Sequence, residues 1–194
     1  QEVWEWYLYR LSVCLHARPN AGHLALAEME ARLTDRFTLI TQNIDNLHIR
    51  AGNSLQRTFQ IHGNINFTRC SKACQTQLQP LHDELKTRAR KKELDDSELQ
   101  LLHCPNCGAW LRPHVLWFDE YYDEHNFRFD SSIKAAGITD LLIIVGTSGA
   151  TALPNHVVSL VQQNQGSIID INPEENPFSV LAQSSPGGMF IKQP

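Results

Sequence analysis

The chain has 194 residues, of which 42% are hydrophobic and 20% charged, with a formal net charge of −4. This length supports one domain with a sizeable core, or one domain with a small appendage, and the composition excludes a disordered chain. The slightly acidic balance gives no general electrostatic drive toward nucleic acid or an anionic membrane. The longest apolar run, residues 141–145, is far too short to cross a bilayer. The opening QEVWEWYLYR has the layout of neither a signal peptide nor a presequence. Five cysteines, four of them in two close pairs, fit a metal site in a reducing compartment, so a cytoplasmic location is the expectation.

Residues 2–15 place Val3, Trp4, Tyr7, Leu8, Leu11 and Leu15 on nearly every turn, which predicts a core-packed helix. Tyr7 and Arg10 share a face of it. A phenol beside a guanidinium can fork a carboxylate, although an isolated pair of this kind is more often a core tyrosine beside a surface arginine. Residues 19–22 form a turn, and residues 23–33 have helical spacing through Leu24, Ala27 and Leu33. An apolar strand over 37–41 then runs straight into Gln42, Asn43, Asp45, Asn46 and His48. Strands of open α/β sheets present ligands at their carboxyl ends, which makes the cluster a candidate ligand site. An Asx turn with a helix N-cap at Asp45 explains the same residues equally well. Residues 47–52 read as a short helix ended by Gly52.

Residues 58–62 alternate, with Phe59 and Ile61 on one face, and end at His62-Gly63. An imidazole there suits proton chemistry because its pKa lies near neutrality. A histidine satisfied by backbone is the plain alternative, and His16 and His82 fit that alternative. Cys70-x-x-x-Cys74 and Cys104-x-x-Cys107-Gly108 form two knuckles, each able to supply one edge of a tetrahedral thiolate site for zinc. A four-thiolate zinc is saturated and therefore structural; a disulfide framework is the minor alternative. Residues 83–99 carry mixed charge at helical spacing and read as a solvated helix or a mobile insert. Within them Arg88-Ala-Arg90-Lys91-Lys92 is a weak candidate for touching acidic partners, and a solvated face is the favoured reading. Cys14 reads as an ordinary buried thiol.

Residues 111–118 are extended and apolar, with Pro113 marking an edge strand, which can accept a peptide by strand addition. Residues 123–137 read as a polar loop and then a helix from Ser131. Residues 141–145 form a buried, parallel-type strand. Gly146-Thr147-Ser148-Gly149 follows, and its amides and hydroxyls at a strand-to-helix turn suit a phosphate or ribose. A helix over 156–163 and a buried strand over 167–171, ending at Asn172, complete the alternation. Residues 173–194 read as turn-rich, without a closing helix. The alternation of helices and short strands implies a parallel, Rossmann-like sheet.

TQNIDNLHIRAG, IHGN, the two cysteine pairs, LRPHVLWFDE, VGTS and DIN follow in one order. That order resembles the sirtuins, the NAD-dependent protein-lysine deacylases, over nearly the whole chain. The resemblance implies an α/β fold, with a Rossmann-like parallel sheet with helices on both faces (residues 1–63 and 114–194) and a small four-Cys zinc-binding module (residues 64–113). It implies that Gln42, Asn43 and Asp45 position NAD, the co-substrate, while Gly146, Thr147, Ser148 and Asn172 hold its phosphates and riboses. His62 takes the role of general base, Cys70, Cys74, Cys104 and Cys107 bind structural Zn2+, and Val115, Trp117 and Phe118 hold the acyl-lysine. Tyr7 and Arg10 fall on the Tyr-x-x-Arg pair of sirtuins that prefer acidic acyl groups, so the likeness is to the bacterial/mitochondrial desuccinylase-type subgroup. The implied products are nicotinamide, free lysine and acyl-ADP-ribose. Acylated-lysine proteins are the expected partners, with no nucleic acid and no membrane, and a monomer is the default.

Three departures from the family pattern stand out. Asp119 occupies a position that is usually glycine, Pro154 comes one residue late, and the family's glycine-rich phosphate loop is not in this sequence. Gln1 is therefore expected to lie inside the family pattern, with an N-terminal strand and loop outside it. Two other readings stay open: an NAD hydrolase or mono-ADP-ribosyltransferase on the same site, and a catalytically impaired NAD-sensing scaffold. The absent loop and Asp119 favour the scaffold; His62, Asn43 and Asp45 argue against it.

Overall fold

In the computed structural model, residues 1–86 and 93–193 are described, in two units, Gln1–Tyr122 and Asp123–Pro194. The first unit begins with helix α1 (Glu2–His16), which buries Trp4, Leu8 and Leu11 and leaves Val3, Trp6, Tyr9 and Val13 exposed. A 3.6-residue period puts the buried three on one stripe. That stripe shares a core with Ile65, Cys70, Leu81, Leu85, Leu94, Leu102, Cys104 and Leu111. The Trp4 indole also donates to the Leu111 carbonyl at 3.0 Å. Helix α2 (Ala21–Leu33) begins where the Asn20 side chain accepts the His23 N–H at 3.1 Å, a cap worth about 1 kcal/mol.

Strands β1 (Leu39–Thr41) and β2 (Thr58–Gln60) pair in parallel, Leu39 opposite Thr58 and Thr41 opposite Gln60. Helix α3 (Leu47–Ala51) joins them and ends at Gly52, φ +114°. Because the two strands run the same way, the residues that follow each emerge at one edge. Strands β3 (Gly63–Cys70), β4 (Gln79–Pro80) and β5 (Leu111–Val115) form an antiparallel sheet in the order β4-β3-β5. Pro113, which has no N–H to donate, lies on its edge strand as predicted. Gly63 is indispensable where β2 hands over to β3. Its φ is +85°, and a Cβ there would lie 2.1 Å from the His114 carbonyl oxygen.

In the segment 83–99, expected as a solvated helix or a mobile insert, the described residues contain two short helices, α4 (Asp83–Lys86) and α5 (Asp96–Gln100). An Asp95 capping box starts the second. The basic run Arg88-Ala-Arg90-Lys91-Lys92 lies outside the described residues. Cys14 is half-buried on α1, and burial pushes its thiol up.

The second unit contains α6 (Glu124–Phe127), α7 (Phe129–Ala136), β6 (Leu141–Val145), α8 (Ala152–Gln163), β7 (Ser167–Asn172), α9 (Pro177–Ser184) and β8 (Met189–Lys192). Its three strands are parallel in the order β6-β7-β8, with α8 and α9 against β7. The protein is thus a mixed α/β fold with parallel strands in both units. Three expectations need correction. Helix α7 begins before Ser131, because the Glu124 carboxylate accepts the Ser131 N–H and hydroxyl and fixes the preceding turn. Strand β6 is parallel but not fully buried: among the described residues it is an outer strand of its sheet, with Ile144 buried and Leu141 and Val145 exposed. The C-terminal segment does close with a helix and a strand. Asn176 caps α9, Pro177 sits at its first position, and Phe178 and Ala182, four apart, are buried. Among the described residues no helix is long and apolar enough to cross a membrane.

Candidate active site

The carboxyl ends of β1 and β2 bring Gln42 and His62 together. The His62 Nδ1 lies 3.0 Å from the Gln42 carbonyl oxygen, which can only accept, so Nδ1 carries the proton and Nε2 holds the lone pair. The Tyr122 hydroxyl stands 2.9 Å from Nε2. Burial holds the His62 pKa below the usual histidine range, an effect the Gln42 carbonyl partly offsets. A base must be neutral to accept a proton, so turnover that uses His62 falls as pH drops through this lowered pKa. The acid limb of kcat/KM is expected below about 6.5, the ordinary histidine value. A pH profile from about 5 to 8 checks it, and a limb above about 7 would contradict the assignment.

The exit loop of β1 is held by an amide network centred on the buried Asn64. Asn46 takes a left-handed conformation, φ +66°. Its side-chain oxygen accepts from Asn64 at 2.8 Å, and Asn64 also donates to Gln60 at 3.2 Å. The Asn64 oxygen in turn accepts the Asn66 N–H at 2.9 Å. Asp45 accepts the Leu47 N–H at 2.9 Å and so closes the expected Asx turn, but the N-cap of α3 is Asn46 and not Asp45. The turn coexists with an exposed Asn43 and a half-buried Gln42 at the same edge.

A second cluster fixes the segment after β5. The Glu120 carboxylate takes both Arg112 nitrogens, at 2.5 and 2.8 Å, the Arg69 guanidinium at 3.0 Å and the Trp117 N–H at 2.9 Å. Arg112 lies 3.7 Å over the Trp117 ring and donates to the Val115 carbonyl at 3.1 Å. Burial alone would raise the Glu120 pKa, but the Arg112 and Trp117 hydrogen bonds and the two guanidinium charges hold it below the usual carboxylate range. Removing one partner of such a pair leaves buried charge uncompensated. Glu120→Ala is expected to cost about 3 kcal/mol in urea unfolding followed by tryptophan fluorescence; a loss under about 0.5 kcal/mol would show that the cluster is only surface decoration.

Tyr7 comes beside Trp117, Arg112 and Glu120, and burial raises its phenol pKa. Arg10 is exposed and lies 5.5 Å from the Trp6 ring centroid. Val115 is buried opposite Gly63, whereas Phe118 projects entirely into solvent and Asp119 beside it is exposed.

The four paired cysteines converge, all four Sγ atoms within 4.8 Å of one another. Cys70 and Cys107 are 3.5 Å apart, and Cys74 and Cys104 3.6 Å. These are free thiols, too far apart for disulfides. Zinc–sulfur bonds of about 2.3 Å give tetrahedral edges near 3.8 Å, so the spacing fits that ion. Backbone N–H groups at Cys74 and Lys72 hold the Cys70 thiol down, to about 6. Asn106 donates to Cys74, yet the surrounding thiols push that group up to about 12. Four thiolates repel one another unless a cation lies among them.

In the second unit, β6 ends at Gly146, φ +62°, where a Cβ would meet open space, so the backbone is approachable. Gly149, φ +71°, touches Phe178 so closely that a Cβ would lie 2.7 Å from the ring. Thr147 and Ser148 lie between them. Asn172 donates to the buried Asp170 at 2.7 Å and to the Thr147 carbonyl at 3.3 Å. Both its amide hydrogens are thereby engaged and its oxygen is left to accept a hydroxyl.

The Sir2 family model matches residues 1–152. The chain belongs to the Sir2 family. The matched region contains His62, all four paired cysteines and Gly146-Thr147-Ser148 of this Sir2 chain; Asn172 lies beyond it. A protein of Leptospira interrogans serogroup Icterohaemorrhagiae serovar Lai named NAD-dependent protein deacylase is 39% identical over 178 residues. These residues are 91% of this chain and 65% of that protein, so the Sir2 chain spans about two-thirds of this relative. Among solved structures, a mutant Sir2 homologue in complex with ADP-ribose superimposes with a TM-score of 0.80 at 30% identity, over 99% of this chain and 68% of the other. A Sir2 homologue–NAD complex gives 0.74 at 32% identity, over 91% and 62%.

Sequence reasoning did not single out Tyr122, Glu120, Arg69, Arg112, Asn64 or Asp170. Glu120 and Arg112 lie within the LRPHVLWFDE segment, whose apolar residues carry the peptide-binding expectation. A carboxylate eight residues beyond an arginine in an extended segment was the available signal.

Proposed function

We propose that the protein is an NAD-dependent protein-lysine deacylase. The observation that carries this reading is the orientation of His62, whose Nε2 lone pair faces away from Gln42 at the carboxyl edge of β1 and β2. The similarity to a bacterial protein named as a deacylase, and to Sir2 homologues solved with ADP-ribose and with NAD, supports it.

When bound, NAD supplies an electrophilic ribose carbon through loss of nicotinamide. Gln42, Asn43 and Asp45 of the first unit would orient the nicotinamide end; in the second unit Gly146, Thr147 and Ser148 would suit phosphate, and the Asn172 oxygen would accept a ribose hydroxyl. His62 Nε2 would accept the proton of a ribose hydroxyl as that oxygen bonds the acyl carbon, after the acyl oxygen has taken the place of nicotinamide on the ribose carbon; the lysine nitrogen would then leave with a proton and water would complete the acyl-ADP-ribose. Val115, Trp117 and Phe118 receive the acyl-lysine, and the edge of β5 offers backbone groups to its peptide. The four cysteines would hold zinc as a structural brace with a closed ligand set.

The finer reading is a desuccinylase in which Tyr7 and Arg10 meet an acyl carboxylate. It places the sheet domain in residues 1–63 and 114–194 and the zinc module in 64–113, in a cytoplasmic monomer acting on acylated-lysine proteins and not on nucleic acid or membrane. Acetyl- and succinyl-lysine peptides incubated with and without NAD, and weighed by mass spectrometry, test the function. Loss of the acyl mass only with NAD supports it, and no loss with either peptide opposes it. Arg10→Met is expected to depress desuccinylation at least about tenfold more than deacetylation, the worth of a charge-assisted pair. Equal loss of both would remove Arg10 from the site.

A further inference from the structure

A base must have its lone pair available, and the lone pair of His62 already has a donor. With Nδ1–H directed at Gln42, the Tyr122 hydroxyl 2.9 Å from Nε2 donates to it. The two rings lie with centroids 6.0 Å apart and planes 25° from parallel, so the phenol approaches along the edge of a stack. Tyr122 lies outside any helix or strand, two residues beyond Glu120. That glutamate is pinned by Arg69 and Arg112, and its own N–H donates to the Trp117 carbonyl at 3.0 Å. The neighbouring Tyr121 is 91% exposed, whereas Tyr122 is half-buried. One tyrosine of the pair is therefore turned inward on an anchored loop, to the ring nitrogen that the deacylase reading needs.

Resting on that reading, we infer that Tyr122 is a positioning residue that caps the His62 lone pair before substrate binds and yields it to the substrate hydroxyl. The chemistry favours a cap of this kind. A half-buried lone pair without a donor is costly, and exchanging one O–H donor for another is nearly neutral. The cap also fixes which tautomer awaits the substrate, because a hydroxyl donating to Nε2 keeps the ring proton on Nδ1. The cap competes with the ribose hydroxyl and so weakens apparent cofactor binding by about one hydrogen bond, roughly fivefold.

Tyr122→Phe keeps the ring and removes the hydroxyl. Three readouts are compared between this variant and the unaltered protein. The rate of His62 carbethoxylation by diethyl pyrocarbonate, located by peptide mapping, is expected to rise about fivefold. The nitrogen NMR signal of Nε2 is expected to move away from its hydrogen-bonded position, with the proton still on Nδ1. KM for NAD is expected to fall about fivefold. An unchanged modification rate together with an unchanged Nε2 signal overturns the cap. So does a fall in kcat of about tenfold or more at unchanged KM, which would make the phenol a proton carrier. Tyr122→Leu removes the ring as well, and a matching Nε2 signal separates the hydrogen bond from the stacking. If the unaltered protein fails to turn over NAD, the deacylase reading fails, while modification and NMR still decide the cap.

Discussion

Replacing His62 with alanine is expected to lower kcat for NAD-dependent peptide deacylation by about 10²–10⁴-fold, the usual worth of a positioned general base. Affinity for ADP-ribose should change by no more than about tenfold, the worth of one hydrogen bond. The split follows from the geometry. The imidazole is held by backbone on one side, at Gln42, so its removal takes away a proton acceptor without dismantling the strand ends that carry it. His62→Gln retains a polar group with no comparable basicity and should lose kcat similarly. Steady-state kinetics beside calorimetric titration of ADP-ribose read the two quantities separately. Loss of nucleotide binding and turnover in equal measure would assign His62 to binding and not to proton transfer.

Stripping the metal from the four-cysteine cluster, or replacing Cys107 with serine, is expected to unfold the first unit and not only its periphery. Cys70 and Cys104 are buried in the same core as Trp4, Leu8 and Leu11 of α1. Structural zinc in small finger peptides contributes about 10–16 kcal/mol at neutral pH, comparable to or larger than the whole stability of an ordinary domain. Loss of the ion leaves four crowded thiols competing for protons, and the knuckle turns lose the centre around which they close. Helix α1 then loses its packing surface, so Tyr7 and Trp117 separate along with it. Chelation followed by far-UV circular dichroism and tryptophan fluorescence checks this, beside elemental analysis for one zinc per chain. A metal-free protein with an unchanged melting temperature would contradict it.

Much of the arrangement is visible in local patterns, and the rest is not, for physical reasons. The strand-then-polar-cluster at residues 37–48 is a short-range signal: Asp45 closes the Asx turn it offers, and Gln42 meets His62 at the strand edge. The cysteine pairs announce their convergence because metal-ligand spacing is itself local. The partners of Glu120 and His62 are not local. Arg69 and Glu120 are 51 residues apart, and His62 and Tyr122 60, so no periodicity points from one to the other. The apolar run at residues 141–145 shows why apolarity alone misleads: it identifies a parallel strand but not its place at the edge of the sheet. The C-terminal helix had a readable start in Asn176-Pro177, obscured by the glycine and proline that follow at 186–188.

The most direct test is chromatography with mass analysis of the nucleotide products formed from NAD, with and without an acylated-lysine peptide. Appearance of acyl-ADP-ribose and nicotinamide in equal amounts, strictly dependent on the peptide, is the predicted result. Release of plain ADP-ribose at the same rate without peptide would contradict it and make the protein an NAD hydrolase.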